Sequence, residues 1–338
     1  MPLTLHVDGP RWRQHLRTFA AAAPGIVPVA KGNGYGFTVG RLARKADWLG
    51  ADTIAVGTYA EIDEVRQRFS GDILVLEPWR PFLPALAYDD RIVHTVGRAE
   101  DLASLGDAEG TPRVVLEALT SMNRHGFDIE ALAAISGSAR GVRVEGHAAH
   151  LPLGDGHVAE VERCLAAAPS PRWYVSHLTS DELASLRGRH PDVEFRPRVG
   201  TALWLGDRDA LTARATVLDS RPVARGDVAG YRHRSFGKAG TLLVLSGGTA
   251  HGVALEAPSP VASARQRAVA VARGGLEAAG RALSPYVVAG KQRWFVEPPH
   301  MQVSLVVVPA DVVAPAVGDE VEVQVRFTTT TFDDVVIS

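Results

Sequence analysis

Short runs of apolar and β-branched residues recur through the first 200 or so residues of the chain. Runs of this length, bounded by polar, Gly or Pro residues, are typical of buried strands. They predict eight strands, at Gly25–Ala30, Thr53–Gly57, Ile73–Leu76, Ile92–Val96, Val114–Ala118, Val142–Leu151, Trp173–Leu178 and Glu194–Gly200.

Between these runs, apolar residues recur at helical spacing. Val39–Leu49 carries Leu42, Ala43, Ala46 and Leu49 on one side. Three further segments show the same spacing, at Tyr59–Phe69, Val158–Ala168 and Asp181–Arg187. A chain in which strands and helices alternate in this way forms a parallel sheet covered by helices.

The fold class that this alternation predicts is α/β, with an N-terminal (β/α)8 TIM barrel over residues 1–212. An open doubly wound sheet is the competing fold, but Gly32-x-Gly34-x-Gly36 lacks the spacing of its glycine fingerprint. Pro81 and Pro84 predict a short or irregular helix in Trp79–Asp89.

The pattern changes after about residue 212, where strand-like runs follow one another without helical segments. It predicts a mostly antiparallel β domain over residues 213–338. An Ala- and Arg-rich segment, Ser263–Leu283, predicts a helix inserted into that domain. The predicted strands are Thr216–Asp219, Thr241–Ser246, Val303–Pro309 and Glu320–Phe327.

Composition excludes several classes of protein. The 338 residues carry a net charge of −2, so nothing favours binding to nucleic acid or to an anionic membrane. Cys164 is the only cysteine, which excludes an intramolecular disulfide and a CxxC metal site. We expect no metal, no signal peptide and no membrane-spanning segment, and hence a cytoplasmic protein.

The end of the first predicted strand carries the first sign of chemistry. An apolar run ends at Lys31 and is followed at once by Gly32-Asn33-Gly34-Tyr35-Gly36. The chain has only four lysines among its 36 basic residues. A desolvated lysine can attack a carbonyl group, which guanidinium cannot do. A strand-end lysine that extends into water explains this segment equally well.

Polar residues also follow the other predicted barrel strands. The active sites of such barrels lie at the carboxyl ends of their strands, so these residues are expected to meet at one rim. They are Glu117 and Ser121–Gly126 after the fifth strand, His147 and His150 at the sixth, Ser176, His177, Thr179 and Ser180 at the seventh, and Arg198, Gly200 and Thr201 at the eighth.

Together these motifs resemble the alanine racemase family, whose members are pyridoxal 5′-phosphate (PLP) enzymes with a barrel and a β domain. The family's lysine motif is similar to Ala30–Gly36, its Met-x-Arg-x-Gly to Met122–Gly126, and its Arg-Pro-Gly to Arg198-Val199-Gly200. The similarity covers the barrel in the family's motif order and is weak over the β domain.

The resemblance implies a role for each matching residue. Lys31 forms the Schiff base with PLP, and Arg124 bonds the cofactor's phenolic oxygen or a substrate carboxylate. His150 lies against the pyridine ring, and Arg198 meets the pyridine nitrogen. The phosphate is held by the remaining matches, which are Tyr35, Ser176, Thr179, Gly200 and Thr201. An arginine at that nitrogen keeps it unprotonated, which suits proton removal and return at Cα better than transamination.

The chain departs from the family's pattern at several positions. Glu117 stands where the family often has a carbamylated lysine, and it supplies the same negative charge near Arg124. In the β domain, Gly248–Gly252 contains Thr249 where the family has a catalytic tyrosine. The family's Met-Asp reads Met301-Gln302, and Phe332 replaces a phosphate-binding tyrosine.

These departures spare the cofactor residues and affect the second acid/base. His251 or His300 is a candidate replacement, because imidazole titrates near working pH, and a structural role remains open for each. The sequence therefore predicts a PLP enzyme acting at the Cα of an amino acid, by racemisation or epimerisation, although alanine racemisation itself is doubtful.

Alternatives remain open. They are decarboxylation or retro-aldol cleavage at Cα, a PLP-binding protein without turnover that handles cofactor or regulates, and a phosphate-binding barrel without PLP. The resemblance also implies a homodimer in which the partner's β domain completes the site, with Met301, Arg124 and Glu117 facing a small amino-acid substrate.

Overall fold

The computed structural model describes residues 2–83, 88–255, 274 and 281–338. By its internal contacts the chain divides into two units. The barrel unit comprises Arg13–Gly34 and Thr38–Gly206, and the β unit comprises Met1–Trp12, Tyr35–Phe37 and Asp207–Ser338.

The first strand, β1 (Leu3–Val7), belongs to the β unit. It pairs with strands Leu211–Val223 and Asp334–Ile337, and its residues Leu3, Leu5 and Val7 are buried. The predicted boundary at residue 212 placed this strand in the barrel. The division differs because β1 forms its strand pairs with these two later segments of the chain, which both belong to the β unit.

The barrel unit is built on eight parallel strands, in the order β2-β9-β8-β7-β6-β5-β4-β3. A bridge between Val29 and Ala55 joins the two end strands, so the sheet is nearly closed and the predicted barrel is confirmed. The strands are β2 (Val27–Pro28), β3 (Thr53–Val56), β4 (Asp72–Pro78), β5 (Ile92–Val96), β6 (Arg113–Ala118), β7 (Arg143–His150), β8 (Arg172–Ser176) and β9 (Glu194–Val199).

Helices follow most of these strands. The predicted helices at Val39–Leu49, Val158–Ala168 and Asp181–Arg187 match α2, α6 and α7 within a few residues. The α-helices are α1 (Gly9–Ala22), α2 (Val39–Trp48), α3 (Ile62–Arg66), α4 (Ala99–Gly106), α5 (Ile129–Ser136), α6 (His157–Ala167), α7 (Ser180–Arg189) and α8 (Thr201–Leu205). Short 3-10 helices occur at Gly34–Gly36, Tyr59–Glu61, Arg208–Ala210 and Thr249–His251.

Two segments with helix predictions form short or irregular structure. Tyr59–Phe69 forms a 3-10 turn, Tyr59–Glu61, followed by the short helix α3. None of the described residues in Trp79–Asp89 is helical, and Pro84 lies outside the described residues.

Side chains on the barrel strands form two apolar layers. Inward-facing residues pack inside the barrel, and outward-facing residues pack against the helices, because successive side chains of a strand point to opposite faces. The inner layer is Val27, Val29, Ala55, Leu74, Val93, Val115, Ala148 and Tyr174. The outer layer includes Val114, Leu116, Ala149, Trp173, Val175 and Phe195.

Charged residues form an ion-pair network at the strands' amino ends. Arg113 contacts Asp72 at 2.6 Å and Glu145 at 2.7 Å. Arg143 contacts Glu145 at 2.8 Å, and Arg172 contacts it at 3.5 Å. Because several charges share partners here, the network ties neighbouring strands together more effectively than isolated surface pairs do.

The β unit contains a largely antiparallel sheet in the order β13-β16-β15-β14-β17-β10-β1-β18, and β13 also pairs with β10. The mostly antiparallel domain is therefore confirmed. Its later strands are β10 (Leu211–Val223), β11 (Val228–Ala229), β12 (Arg234–Ser235), β13 (Gly240–Ser246), β14 (Leu283–Val288), β15 (Lys291–Phe295), β16 (Val303–Pro309), β17 (Glu320–Val323) and β18 (Asp334–Ile337).

The helix predicted at Ser263–Leu283 lies outside the described residues, except for Gly274, Arg281, Ala282 and Leu283. Leu283 begins β14, so the predicted helix is too long at its end. Among the described residues, no helix combines the length and the apolar character that crossing a membrane requires.

Candidate active site

A polar layer lies directly above the apolar interior of the barrel. Glu117, His150 and Ser176 each come two residues after an inner-layer residue, which are Val115, Ala148 and Tyr174. Lys31 follows Val29 by the same interval. Because the strand repeat is two residues, the side chains of Glu117, His150 and Ser176 face the barrel interior at its carboxyl-terminal end. Lys31 lies beyond the end of its strand and is exposed at the rim. His147, which was also predicted at this rim, instead lies on the helix side of its strand, with Nε2 3.0 Å from Ser136 Oγ of α5 and its ring edge-on to Trp173 of the outer layer.

Lys31 is held at the mouth of the barrel by its neighbours in the chain. The N–H of Ala30 donates to Ala55 O at 2.8 Å, and the Gly34 N–H donates to Lys31 O at 3.0 Å. A Cβ on Gly34 would lie 2.5 Å from Val39 N, so this tight turn requires glycine. The chain therefore turns away immediately after the lysine.

The pKa of Lys31 is lowered, first by desolvation and then by the positive charge of Arg124, while Glu61 opposes the shift. The residue is exposed at the rim, and the surrounding walls still remove part of its hydration. A lowered pKa increases the fraction of neutral amine at a given pH, and the neutral amine is the form that attacks a carbonyl carbon.

Arg198 is buried in the polar layer with incomplete hydrogen bonding. Its Nη1 lies 3.8 Å from Oε2 of Glu117, and both side chains are almost fully buried. Its Nε and Nη2 have no hydrogen-bond partner among the described residues. Burial lowers the pKa of Arg198, and the Glu117 carboxylate opposes that shift. Buried donors of this kind are costly unless a ligand supplies an acceptor.

Glu117 was expected to place its charge near Arg124. The structure shows an ion pair of Glu117 with Arg198, and the charges of both Glu117 and Arg124 act on the pKa of Arg198. Arg124 lies on the exposed turn that follows β6.

His150 is a neutral imidazole in this layer. Its pKa is lowered to about 3 by desolvation first and then by the positive charge of Arg198. Its Nδ1 lies 2.8 Å from Ser176 Oγ, and its ring contacts that of His177 with centroids 5.0 Å apart. A neutral imidazole presents a flat face that can stack on an aromatic ligand without adding charge.

The turn that carries Arg124 is shaped by two features. A Cβ on Gly126 would lie 2.5 Å from Leu119 N, so only glycine fits there. Glu160 of α6 accepts from Ser121 N at 2.5 Å and from Ser121 Oγ at 2.8 Å. The charge of Arg124 lowers the pKa values of Lys31 and His150, so its guanidinium belongs to the same electrostatic site.

The predicted phosphate residues of β8 and β9 lie where two helices begin. Thr179 is the N-cap of α7, and its hydroxyl donates to Glu182 Oε2 at 3.0 Å. Gly200 is the N-cap of α8, and Thr201 is its first residue. Helix starts present unpaired N–H groups, which favour anions. The hydroxyls of Ser176 and Thr179 already have protein partners.

Tyr35 belongs to the β unit when the chain is divided by its internal contacts. It is buried, and its φ of 54° and ψ of 28° place it in the left-handed region. That conformation is uncommon for a residue other than glycine.

Three predicted residues of the β unit share one open cleft of about 360 Å³, namely Thr249, His300 and Met301. Backbone hydrogen bonds join their loops, from Thr249 N to His300 O and from Ala250 N to Met301 O, both at 2.9 Å. A Cβ on Gly248 would lie 2.1 Å from His300 O, so the close approach of the two loops requires that glycine.

The two candidate histidines differ in their surroundings. His251 is buried, with Nδ1 accepting from Gly248 N at 3.2 Å and Nε2 3.1 Å from Asp333 Oδ1. His300 is partly exposed, and its Nε2 lies 2.7 Å from Oε1 of the buried Glu297. Tyr231 packs against the His300 ring at 4.4 Å between centroids. Only His300 therefore combines a fixing carboxylate with access to the cleft.

Sequence reasoning missed three carboxylates that organise these loops, Glu61, Glu160 and Glu297. Glu61 accepts from Gly32 N and Gly57 N, both at 2.6 Å. A detectable signal for Glu61 was the pattern Thr58-x-x-Glu61 before an apolar run, which marks a capping box. Within the described ranges, no cluster of three His, Cys, Asp or Glu side chains could hold a metal ion.

Comparison with known proteins gives consistent similarities. Residues 7–187 match the model of the family described as alanine racemase, N-terminal domain. An alanine racemase of Mycolicibacterium vanbaalenii is 29% identical over 263 residues, covering 68% of this chain and 66% of that protein. The match thus spans slightly under two thirds of that relative's length.

Solved structures share the fold over almost the whole chain. Alanine racemase from Bartonella henselae with covalently bound pyridoxal phosphate matches with a TM-score of 0.70 and 18% identity, covering 96% of this chain and 91% of that one. A histidine racemase from Leuconostoc mesenteroides matches with a TM-score of 0.64 and 18% identity, covering 95% of this chain and 87% of that one.

Proposed function

We propose a function from one premise, which is that this chain belongs to the alanine racemase N-terminal domain family. The proposed function of this protein is that of a PLP-dependent enzyme that removes and returns a proton at the Cα of an amino acid, as a racemase or epimerase. The observation that carries the proposal is the buried Arg198, whose Nε and Nη2 lack an acceptor beside Glu117 and His150.

The residues of the polar layer fit pyridoxal phosphate. The unpaired donors of Arg198 suit an aromatic nitrogen that accepts a hydrogen bond, and the neutral His150 suits the face of a pyridine ring. Lys31 supplies an amine with a lowered pKa for the aldehyde. The helix starts at Thr179 and Gly200 suit the phosphate.

Each residue of the chain has a distinct task in this proposal. When bound, PLP supplies electron withdrawal that acidifies the substrate's Cα–H bond. Arg198 would donate to the ring nitrogen of the bound cofactor, while Glu117 compensates the guanidinium charge inside the barrel. Arg124 attracts and orients the substrate carboxylate from the exposed turn. Lys31 takes or returns the Cα proton on one side once its amine is free.

His300 is the candidate for the second acid/base, and His251 is a structural residue. When Nε2–H donates to Glu297, the Nδ1 of His300 is an acceptor, and the residue lines the cleft. We also propose a homodimer in which the cleft with Thr249, His300 and Met301 serves the partner's barrel. This part rests on the family resemblance.

The experiment is solvent deuterium exchange at Cα across a panel of L- and D-amino acids. Histidine and alanine head the panel, because relatives of this fold are named for those substrates. The proposal expects exchange with at least one amino acid and none with Lys31→Ala. PLP bound at Lys31 without exchange on any member would favour a cofactor-handling or regulatory protein. Loss of CO₂ or of the side chain would indicate another Cα reaction.

A further inference from the structure

The carboxylate of Glu61 connects the two loops that flank Lys31. Its Oε1 accepts from the N–H of Gly32 at 2.6 Å, and its Oε2 accepts from the N–H of Gly57 at 2.6 Å. Oε2 also accepts from Thr58 N at 3.2 Å. Gly32 directly follows Lys31, and Gly57 directly follows β3, so one side chain joins two neighbouring strand ends.

The backbone is unusually close at this place. A Cβ on Gly57 would lie 2.9 Å from the Cβ of Lys31 and 3.2 Å from Oε2 of Glu61. A side chain at position 57 would therefore push the lysine aside or break the carboxylate contact. Lys31, Gly57 and Glu61 therefore pack closely together at the barrel mouth.

Glu61 also places a negative charge near the lysine. Desolvation and the charges of Arg124 and Arg198 lower the pKa of Lys31, and Glu61 is the group that opposes them. Because hydrogen bonds from backbone N–H groups to a carboxylate are charge-assisted, the carboxylate is held in place by the same loops that it joins.

We infer that Glu61 is a positioning residue for Lys31, which fixes the lysine's backbone between two loops and sets the electrostatic surroundings of its amine. The consequence for the cofactor rests on the proposed function. The tether, which is the pair of hydrogen bonds by which Glu61 joins Gly32 and Gly57, does not. Loss of Glu61 then loosens both loops and makes the amine lose its proton at lower pH.

The test compares Glu61→Gln and Glu61→Asp in the full-length chain, measured without added PLP. Glu64→Gln is the matched control, because Glu64 lies in the neighbouring helix α3 and accepts from Gly40 N at 2.7 Å, away from Lys31. Amide hydrogen exchange is read at Gly32 and Gly57. The pH dependence of acylation is read at Lys31 by peptide mass spectrometry, with the exposed Lys238 as internal reference.

For Glu61→Gln we expect amide exchange to rise on the order of tenfold at whichever of Gly32 and Gly57 faces the new NH2 group, because that group cannot accept a hydrogen bond. The midpoint for Lys31 acylation should move to lower pH while that of Lys238 stays fixed. Glu61→Asp keeps the charge but is too short to join both loops. It should therefore raise exchange with a smaller change in the acylation midpoint, and Glu64→Gln should change neither.

An unchanged Lys31 midpoint together with unchanged amide exchange in Glu61→Gln would overturn the inference. So would a Gly32 amide that exchanges in the wild-type chain as fast as in an unstructured peptide, a result that needs no variant to fold. PLP titration of the same proteins separates the two proposals. Failure of the wild-type chain to bind PLP at Lys31 refutes the proposed function and leaves the tether result standing.

Discussion

The Nη1 of Arg198 lies 3.8 Å from the Oε2 of Glu117, and both side chains are almost completely buried inside the barrel. Neither residue is near enough to the other for a hydrogen bond, so the pair interacts through charge. The Nε and Nη2 of the guanidinium have no hydrogen-bond partner among the described residues, so they are available to an acceptor on a ligand. The Glu117 carboxylate compensates the charge of Arg198, whose unpaired donors can bind a ligand.

Replacing Glu117 by Gln should destabilise the protein, because it leaves the Arg198 charge buried without compensation. The expected loss in the free energy of unfolding is on the order of 3 kcal/mol. Urea denaturation measures it. Glu100→Gln is the control, since Glu100 forms an exposed ion pair with Arg98 at 3.4 Å and should change stability little. Equal effects of the two substitutions would argue against a buried, interacting pair.

Replacing His300 by Gln should affect one enantiomer of the substrate only. If His300 serves one face of Cα and Lys31 the other, deuterium exchange should fall roughly 10²–10⁴-fold for one enantiomer and remain for its mirror image. The comparison variant is His251→Gln, which removes buried hydrogen bonds to Gly248 N and Asp333. It should lower thermal stability without this asymmetry. Symmetric loss in His300→Gln would exclude the assignment.

Glu145 should make the free energy of unfolding depend on pH in the acid range. Burial alone would raise the pKa of Glu145, but Arg113 and then Arg143 outweigh burial and hold the pKa below its usual value. A depressed pKa in the folded state means that the stabilisation is present above the unfolded-state pKa, about 4.3, and is lost as pH falls through the folded-state value.

Glu145→Gln should therefore be less stable than the wild-type chain at pH 7 and should lose less stability between pH 7 and acid pH. Urea unfolding at a series of pH values below about 5 measures the difference in slope. Glu109→Gln, at an exposed position, is the control. A wild-type slope retained in Glu145→Gln would show that the Arg113 network contributes nothing to acid sensitivity.

The turn between β14 and β15 offers a stabilising substitution. Ala289 and Gly290 both have positive φ, of 51° and 72°, and Val288 pairs with Lys291 across the turn. Such a two-residue hairpin favours Asn-Gly, because Asn tolerates the left-handed conformation better than Ala. Ala289→Asn should raise the free energy of unfolding by roughly 0.5–1 kcal/mol, and Ala289→Val should lower it. The opposite order in thermal melts would contradict this turn geometry.

The barrel was predictable from sequence because its strands include short, largely apolar runs, as in Thr53–Gly57 and Ile73–Leu76, that alternate with segments of helical spacing. The β unit was less predictable. Strands β14 and β15 were missed because they mix buried and partly or fully exposed residues, and β1 was missed because its short apolar pattern is interrupted by Thr4 and His6. β1 pairs with strands far away in the chain, whereas β14 and β15 pair with each other across Ala289 and Gly290, a turn that lacks the Asn-Gly or Asp-Gly pattern of such hairpins.

In the candidate site, residues that end strands were predictable and residues that hold loops were not. Lys31, His150 and Arg198 follow from strand ends and motif similarity. Glu61 and Glu297 act on backbone N–H groups of distant loops, which only a folded chain brings near. The pairing of Glu117 with Arg198 also depends on the folded chain, because it requires both side chains to face the barrel interior.

The most direct test of the central claim is reduction of the PLP-loaded chain with borohydride, followed by peptide mass spectrometry. Four lysines are available, so the site of attachment is unambiguous. We predict a visible absorbance band that reduction bleaches, with the cofactor's mass recovered on the peptide containing Lys31 and neither signal in Lys31→Ala. Attachment spread over Lys45, Lys238 and Lys291, or no attachment at all, would contradict the account.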